Sequence, residues 1–210
     1  MKALNLSVCC LLLLVLLSAC AHVNVTTSRF YVPDYKNAGT ITVIASVAEV
    51  NESLEFMHYK PQFESKLAAN GYTIVSNPSD AKYVALIAYG IDQGQSGVVS
   101  TPIFGQTGGG TTTFSSYGAS FYTMPTYGIV GSSTQSITRY SRAIALDIVE
   151  TASIKEGKPK KVYELRTKSV GAGSAISCVF NELLEAMFMD FPGISGKAKS
   201  VRLQYNGDCR

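Results

Sequence analysis

The segment 82–91 constrains the fold of this chain most, because both of its alternating faces are apolar. One face carries Tyr83, Ala85, Ile87, Tyr89 and Ile91, and the other carries Val84, Leu86 and Ala88. A strand of this kind is stable at the centre of a sheet whose two faces are both covered. The chain therefore predicts a layered domain in which other elements pack around residues 82–91.

The segments on either side of this strand predict an α+β domain. Alternating apolar residues predict further strands over 40–47, 72–76, 139–148, 162–170 and 200–205. Residues 59–70 predict a first helix with Pro61 in its first turn. Residues 174–190 predict a second, amphipathic helix that Ser174 caps. We therefore expect a mainly antiparallel sheet with two helices packed on it, in a single domain over residues 40–210.

A long insertion interrupts this domain at residues 93–138. The insertion contains no Asp, Glu, Lys or Arg and holds 9 of the 18 glycines. A segment this long is either functional or disordered, and we expect a floppy insertion or an extended hairpin. Tyrosine among serine, glycine and threonine suits a protein or glycan contact, whereas the ordinary alternative is a mobile loop folded back on the sheet. The candidate contact residues are Tyr117, Phe121, Tyr122 and Tyr127.

The first twenty residues predict a secretory signal. Lys2 supplies the positive start, and an uncharged apolar stretch of about 15 residues follows, which is short of the roughly 20 needed to span a bilayer as a helix. Small residues, Ser18 and Ala19, then precede Cys20. No later segment reaches a spanning length without a charge or a glycine, so we expect no other membrane span.

Leu17-Ser18-Ala19-Cys20 resembles the lipobox of bacterial lipoprotein precursors. The resemblance implies that residues 1–19 are a signal peptide, and that Cys20 receives a diacylglycerol and, after cleavage, an acyl chain on its amino group. The alternative is a secreted protein cut after Ala21. Several acyl chains anchor a protein essentially permanently, so the membrane is an expected partner. Residues 20–39 are then interpreted as a lipidated N-terminus and tether.

The location follows from the same resemblance. Ala21 is not the aspartate that favours inner-membrane retention in many Gram-negative bacteria, so we expect the outer membrane and its periplasmic face. Among the remaining cysteines, Cys9 and Cys10 leave with the signal. Cys178 and Cys209 then form an even pair in an oxidising compartment and predict a disulfide. Two unpaired thiols are the alternative.

The order of features resembles a family of Gram-negative lipoproteins known as domain of unknown function 4136. The resemblance covers roughly residues 24–192. It rests on Arg29–Tyr35, Leu67–Tyr72, Ser79–Val84, Ala145–Glu150 with Lys161–Leu165, and Ala186–Pro192. The tryptophan that such proteins often carry in the second hairpin strand is absent, and Tyr163 is the expected replacement. The family implies no established reaction, so it contributes no catalytic residue.

Charge and motifs argue against several function classes. Removal of residues 1–19 leaves 17 basic and 15 acidic side chains, so nucleic-acid binding has no electrostatic basis. The two histidines, His22 and His58, have no nucleophile motif beside them. Residues 105–111 are glycine-rich but lack the lysine and the following helix of a phosphate loop. We expect no enzymatic activity, no cofactor and no metal site.

These observations predict an outer-membrane lipoprotein that acts as a non-catalytic interaction or assembly component, with an envelope protein or glycan as its partner. One alternative is a carboxylate-dependent envelope hydrolase. It requires at least two of Asp80, Asp92, Asp147 and Glu164 to meet in one pocket. The other alternative is a surface-exposed ligand-binding lipoprotein.

Overall fold

The computed structural model describes residues 21–108, 127–155 and 158–205. The fold is α+β, with a mainly antiparallel mixed sheet and helices packed on it, which confirms the predicted fold class. The strands are β1 (His22–Tyr31), β2 (Gly39–Ala45), β3 (Tyr72–Ile74), β4 (Tyr83–Ile91), β5 (Gln95–Gln106), β6 (Tyr127–Glu150), β7 (Lys161–Gly171) and β8 (Ala198–Gln204). The helices are α1 (Leu54–Ala69), α2 (Thr151–Lys155) and α3 (Phe180–Phe188).

The chain divides into two compact units. The first, here called the sheet unit, is built from residues up to Gln93 and from Tyr140 onward; the second is Gly94–Arg139. Strands in the sheet unit follow the order β3-β2-β4-β6-β7-β1-β8. Strand β2 pairs in parallel with β3 and β4, and the other pairs along this order are antiparallel. Strand β4 thus lies between two neighbours, as predicted. The expectation that both of its faces are covered was wrong toward the end of the strand, because Leu86 is half-buried and Ala88 is exposed on the face opposite Ala85 and Ile87.

One face of this sheet, here called the core face, packs against α1 and α3. It carries alternate residues of each strand, such as Ile144 and Leu146 of β6 and Leu165 of β7, all of which are buried. The rings of Tyr59 in α1 and Phe180 in α3 stack with centroids 3.5 Å apart. The two predicted helices therefore meet each other as well as the sheet, in one apolar core.

Helix α1 begins five residues earlier than the sequence predicts. Ser53 caps it, because the Ser53 hydroxyl accepts a hydrogen bond from the Phe56 amide at 3.1 Å. Pro61 therefore lies inside the helix rather than in its first turn, and His58 is an exposed residue of the helix rather than one that precedes it. The prediction was wrong because the proline was taken as the start signal in place of the serine cap.

The tether interpretation of residues 20–39 was wrong for residues 22–31. These residues form β1, which pairs with β7 on one side and with β8 on the other. Val23, Val25 and Thr27 alternate with exposed polar residues, and this alternation buries one side of the strand. The polar composition of the segment made it resemble a linker, although it forms the strand that lies between β7 and β8 in the sheet.

Tyrosines from the opening segment cover Tyr163 of β7. Tyr163 is fully buried, and its ring stacks on that of Tyr31 at 5.7 Å and lies 4.8 Å from that of Tyr35. The Tyr163 hydroxyl donates to the Pro192 carbonyl at 2.9 Å, which satisfies its polar end. This ring therefore occupies a central core position.

The second unit is a two-stranded antiparallel ribbon in its described part. Strand β5 pairs with residues 127–139 of β6, from Gln95 opposite Arg139 to Gln106 opposite Tyr127. Strand β6 thus begins at Tyr127, well before the predicted start at Arg139. Of the two forms expected for the insertion, the described residues show the extended hairpin. Apolar side chains are exposed on it, among them Val98, Phe104 and Ile129.

Candidate anion-binding site

A cavity of about 240 Å³ opens in the sheet unit beside the start of β1. Its walls come from the first residues of β1, the end of β7 with the glycines that follow it, and the turn that precedes α3. Its lining includes Arg142, His22, Asn24, Gly171, Gly173 and Tyr205. This space is called the Arg142 cavity below, because that arginine is the charged group within it.

Arg142 lies on the core face of β6, in the same alternating row as Ile144 and Leu146. Only 4% of its surface is exposed. The sequence pattern places it in this row, since Arg142, Ile144, Leu146 and Ile148 follow the period of a strand. The row predicts burial of the arginine but does not reveal which groups surround it.

The guanidinium of Arg142 is poorly satisfied. Its Nη1 donates to the Gly173 carbonyl at 3.5 Å, which is at the outer limit for a hydrogen bond. Its Nε is buried without a hydrogen-bond partner among the described residues. Buried donors are almost always paired in folded proteins, so this nitrogen stands out.

Ser169 lies directly opposite Arg142 in the β6–β7 ladder, and it too has a buried polar atom without a hydrogen-bond partner in the part of the chain that the structure describes. The Ser169 hydroxyl is buried and, within the described chain, also has no hydrogen-bond partner. Residues opposite each other in an antiparallel ladder have Cβ atoms about 4.5–5.5 Å apart. Two unsatisfied polar groups thus sit side by side on the core face, and Arg142 is the one that lines the cavity.

Glycines make room for the guanidinium. A Cβ added at Gly171 would lie 2.5 Å from Arg142 Nη2, and one added at Gly173 would lie 3.2 Å from Nη1. The sequence predicts Gly171-Ala172-Gly173 to be a plain strand-to-helix turn. Here the two glycines also let the backbone approach a charged side chain closely.

The electrostatic environment of the cavity is positive. Burial lowers the pKa of Arg142 from its ordinary value, while the Tyr205 phenol opposes the shift. An arginine nonetheless stays protonated in proteins at neutral pH. Among the residues that the structure describes, no carboxylate forms an ion pair with Arg142. At the rim, Arg202 Nη2 lies 3.4 Å from His22 Nδ1 and adds a second cation.

A second cavity, of about 380 Å³, surrounds another buried arginine. Arg29 lines it together with Asp190, Gly193 and Lys199. Arg29 Nη1 donates to the Asp190 carbonyl at 3.1 Å, and the Asp190 carboxylate pairs with Lys199. Because this arginine has a close acceptor and a nearby acidic residue, the Arg142 cavity is the stronger candidate for a binding site.

Cys178 lines the Arg142 cavity and is disulfide-bonded. Cys20 and Cys209 lie outside the described residues. The predicted pairing of Cys178 with Cys209 and the lipidation of Cys20 therefore stay predictions.

The candidate partner-contact residues are mostly outside the described chain. Tyr117, Phe121 and Tyr122 fall between residues 108 and 127. Tyr127 begins β6 and pairs with Gln106. Their role as a contact surface stays a prediction.

The structure brings two of the four candidate carboxylates together. Asp147 and Glu164 are opposite each other in the β6–β7 ladder, on the face away from the core. Lys161 bridges them at 2.9 Å and 2.7 Å, and these two hydrogen bonds raise the pKa of its ammonium group. Arg166 also pairs with Asp147. The carboxylate oxygens are thus engaged by cations on an open sheet face.

The other two carboxylates lie elsewhere. Asp80 is in the short 3-10 turn before β4. Asp92 follows β4 and accepts a hydrogen bond from the Ser141 amide at 2.9 Å. Neither belongs to the register pair of Asp147 and Glu164.

The described ranges, residues 21–108, 127–155 and 158–205, bring no three His, Cys, Asp or Glu residues into a group that would hold a metal ion. They also contain no helix that is long and apolar enough to cross a membrane.

Comparison with known proteins identifies no family. No protein-family model matches the chain, and no curated protein matches it. A solved structure described as a PDZ domain protein from Parabacteroides distasonis is similar over 87% of this chain, with 13% identity and a TM-score of 0.44. The chain covers 39% of that structure's chain. The resemblance to domain of unknown function 4136 stays a prediction.

Proposed function

We propose that this chain is a lipid-anchored lipoprotein of the outer membrane that faces the periplasm and acts as a non-catalytic interaction or assembly component. The observation that carries the proposal is the lipobox Leu17-Ser18-Ala19-Cys20 immediately before the first strand of the sheet. The Tyr205 amide donates to the Ala21 carbonyl at 2.8 Å, and β1 begins at His22, two residues after Cys20.

This short connection has a structural consequence. Two residues of extended chain span at most about 7 Å, which is the reach from Cys20 to the start of β1 at His22. Acyl chains on Cys20 would therefore hold the start of β1 at the membrane surface rather than at the end of a long tether. The proposal thus places the domain against the bilayer.

The second unit supports an interaction role. Val98 and Phe104 on β5 are 70% and 72% exposed, and Ile129 on β6 is 63% exposed. An isolated two-stranded ribbon is marginally stable in water, and exposed apolar side chains mark interaction surfaces. The absence of charge from residues 93–138 removes the usual protection against association. A partner that covers these side chains would stabilise the ribbon.

Anchoring is tested by substitution of Cys20. We expect Cys20→Ser to abolish acylation and to move the protein from the outer-membrane fraction to the soluble periplasm, as measured by fractionation and intact-mass spectrometry. Cys10→Ser is the matched control, since Cys10 leaves with the signal and its loss should change neither result. An unmodified Cys20 in the membrane fraction of the unsubstituted protein would disprove the proposed anchor.

The interaction role is tested by removal of the ribbon. We expect deletion of residues 95–136 to leave the sheet unit folded, by circular dichroism, and to abolish crosslinking to envelope proteins in intact cells. Val98→Ser with Phe104→Ser is a milder variant that keeps the backbone and removes two exposed apolar groups. Identical crosslinked species in the intact and deleted proteins would contradict this role.

A further inference from the structure

Arg142 is expected to destabilise the folded state at its position. A buried charge without a partner destabilises a protein strongly, and arginine stays charged because it does not lose its proton in proteins. In the described chain its Nε has no partner and its Nη1 has only a weak one. Buried charged residues that lack hydrogen-bond partners and line a cavity are typical of binding sites.

The chemistry of the cavity selects an anion. Arg142 offers a buried cationic donor, and the Ser169 hydroxyl opposite it offers a further unsatisfied group. Among the residues described up to Tyr205, no carboxylate belongs to the lining, and Arg202 adds positive charge at the rim through His22. Planar guanidinium groups bind oxyanions such as phosphate through two hydrogen bonds at once.

The size of the cavity restricts the ligand to one chemical group. Pockets that enclose a whole small-molecule ligand measure roughly 300–1,000 Å³. The Arg142 cavity, at about 240 Å³, is smaller. It suits a single oxyanion group that belongs to a larger molecule whose remainder stays outside.

The position of the cavity indicates where that group comes from. His22 and Asn24 of β1 line it, and His22 is two residues from Cys20. If Cys20 is acylated, His22 in the cavity wall lies within about 7 Å of the anchor residue. A bilayer surface presents phosphate groups at that distance.

We propose that the Arg142 cavity binds the phosphate group of a phospholipid, with Arg142 as the lining residue that recognises it and the Ser169 hydroxyl, directly opposite Arg142 in the ladder, as a second donor that the bound group would engage. The proposed anchoring at Cys20 supplies only the source of the phosphate; the recognition chemistry stands on the cavity itself. The bound headgroup would neutralise Arg142 and fix the orientation of the sheet unit on the membrane.

The test is a calorimetric titration of the full chain in neutral detergent, at about 0.15 M salt so that distant surface charges are screened. The probes are dihexanoyl phosphatidylglycerol, glycerol phosphate and inorganic phosphate. We expect the lipid probe to bind one site per chain. Arg142→Gln should weaken this binding at least about tenfold, because it removes a charged hydrogen-bond donor.

Two further variants make the result decisive. Lys168→Gln is the matched control, since it removes an exposed cation of β7 that alternates with the buried Thr167 and Ser169 and does not line the cavity, and it should leave the affinity unchanged. Ser169→Ala removes a hydroxyl that has no partner in the described fold, so it should fold normally and weaken binding about threefold to tenfold. If Arg142→Gln does not fold, Ser169→Ala decides: weaker binding supports the site, and unchanged binding overturns it.

The outcomes separate the source of the phosphate from the site. Saturation by inorganic phosphate or glycerol phosphate without saturation by the lipid would overturn the membrane source. Absence of binding by all three probes, or equal binding by Arg142→Gln, would overturn the site. Because the titration does not require acyl chains, failure of Cys20 acylation in cells would leave its result unchanged and would be seen separately.

Discussion

Arg29 and Arg142 occupy similar buried positions on the sheet but differ in the groups that surround their guanidinium groups. Both lie on the core face of the sheet, and each is 4% exposed. Arg29 Nη1 donates to the Asp190 carbonyl at 3.1 Å, and the hydrogen bond from Lys199, with a smaller contribution from the Arg29 charge, lowers the pKa of the Asp190 carboxyl. Arg142 has a single 3.5 Å contact to the Gly173 carbonyl and, among the described residues, no acidic partner.

The difference separates a structural arginine from a binding arginine. Each guanidinium lies close to a glycine, at a place where a Cβ atom would collide with it: Gly193, at φ 73°, beside Arg29, and Gly171 beside Arg142. The backbone thus accommodates both guanidinium groups, but only one of them is also given a good acceptor and an acidic neighbour. A buried charge that is accommodated but not neutralised points to a ligand from outside the described chain.

The largest effect is expected at Arg29. Arg29→Met should lower the free energy of unfolding by about 1–3 kcal/mol, because it leaves the Asp190 carbonyl without its donor. Urea denaturation followed by circular dichroism measures this change. Lys168→Met, at an exposed position of β7, is the control and should change stability by less than about 0.5 kcal/mol. Equal stability of Arg29→Met and the unsubstituted protein would remove the distinction between the arginines.

The opposite sign is expected at Arg142. Arg142→Met should raise the free energy of unfolding by about 1 kcal/mol in lipid-free detergent, since an apolar side chain of similar length replaces an unneutralised buried charge. The same denaturation experiment measures it. Added short-chain phosphatidylglycerol should then stabilise the unsubstituted protein but not the variant. A loss of stability as large as that of Arg29→Met would show that Arg142 is structural.

The smallest effect concerns the pH dependence of stability that arises from Asp190, the acidic residue at the Arg29 site. The hydrogen bond from Lys199, with a smaller contribution from Arg29, holds the pKa of Asp190 below its ordinary value of 3.8. The stabilisation is therefore present above that value and is lost as the pH falls through the lower pKa of the folded state. Asp190→Asn should reduce the loss of stability between about pH 5 and pH 2, whereas Arg142→Gln should not. Parallel pH profiles for Asp190→Asn and the unsubstituted protein would contradict this assignment.

The sequence predicts the frame of the fold well because its strands and helices carry strong periodicity. Strand β4 is found where apolar spacing places it. Helix α3 lies within the predicted range 174–190, but it begins at Phe180 after a 3-10 turn at Ser177–Val179, so the predicted cap at Ser174 was wrong. Strand β1 was missed because Asn24, Thr26 and Ser28 made a half-exposed strand look like a polar linker. Its pairing with two distant strands is a tertiary property that no local pattern reports.

The candidate site could be predicted only in part. Alternation places Arg142 among buried residues, and that much is visible in the sequence. The arrangement that matters is an unsatisfied Nε, a serine 27 positions further along the chain and two close glycines. These groups meet only through the β6–β7 ladder and the turn after it. The feature that points to a binding site is therefore the lack of hydrogen-bond and charge partners around Arg142 in the described chain. It can be recognised only from the three-dimensional structure.

The double pairing of β1 gives the domain a mechanical property. Any pull transmitted through residue 20 acts along β1, whose ladders to β7 and β8 run parallel to that direction. Hydrogen bonds perpendicular to the strands are then loaded in shear, and they share the force instead of opening one after another. With the proposed anchor at Cys20, the sheet unit would therefore resist separation from its own first strand under a force along that strand.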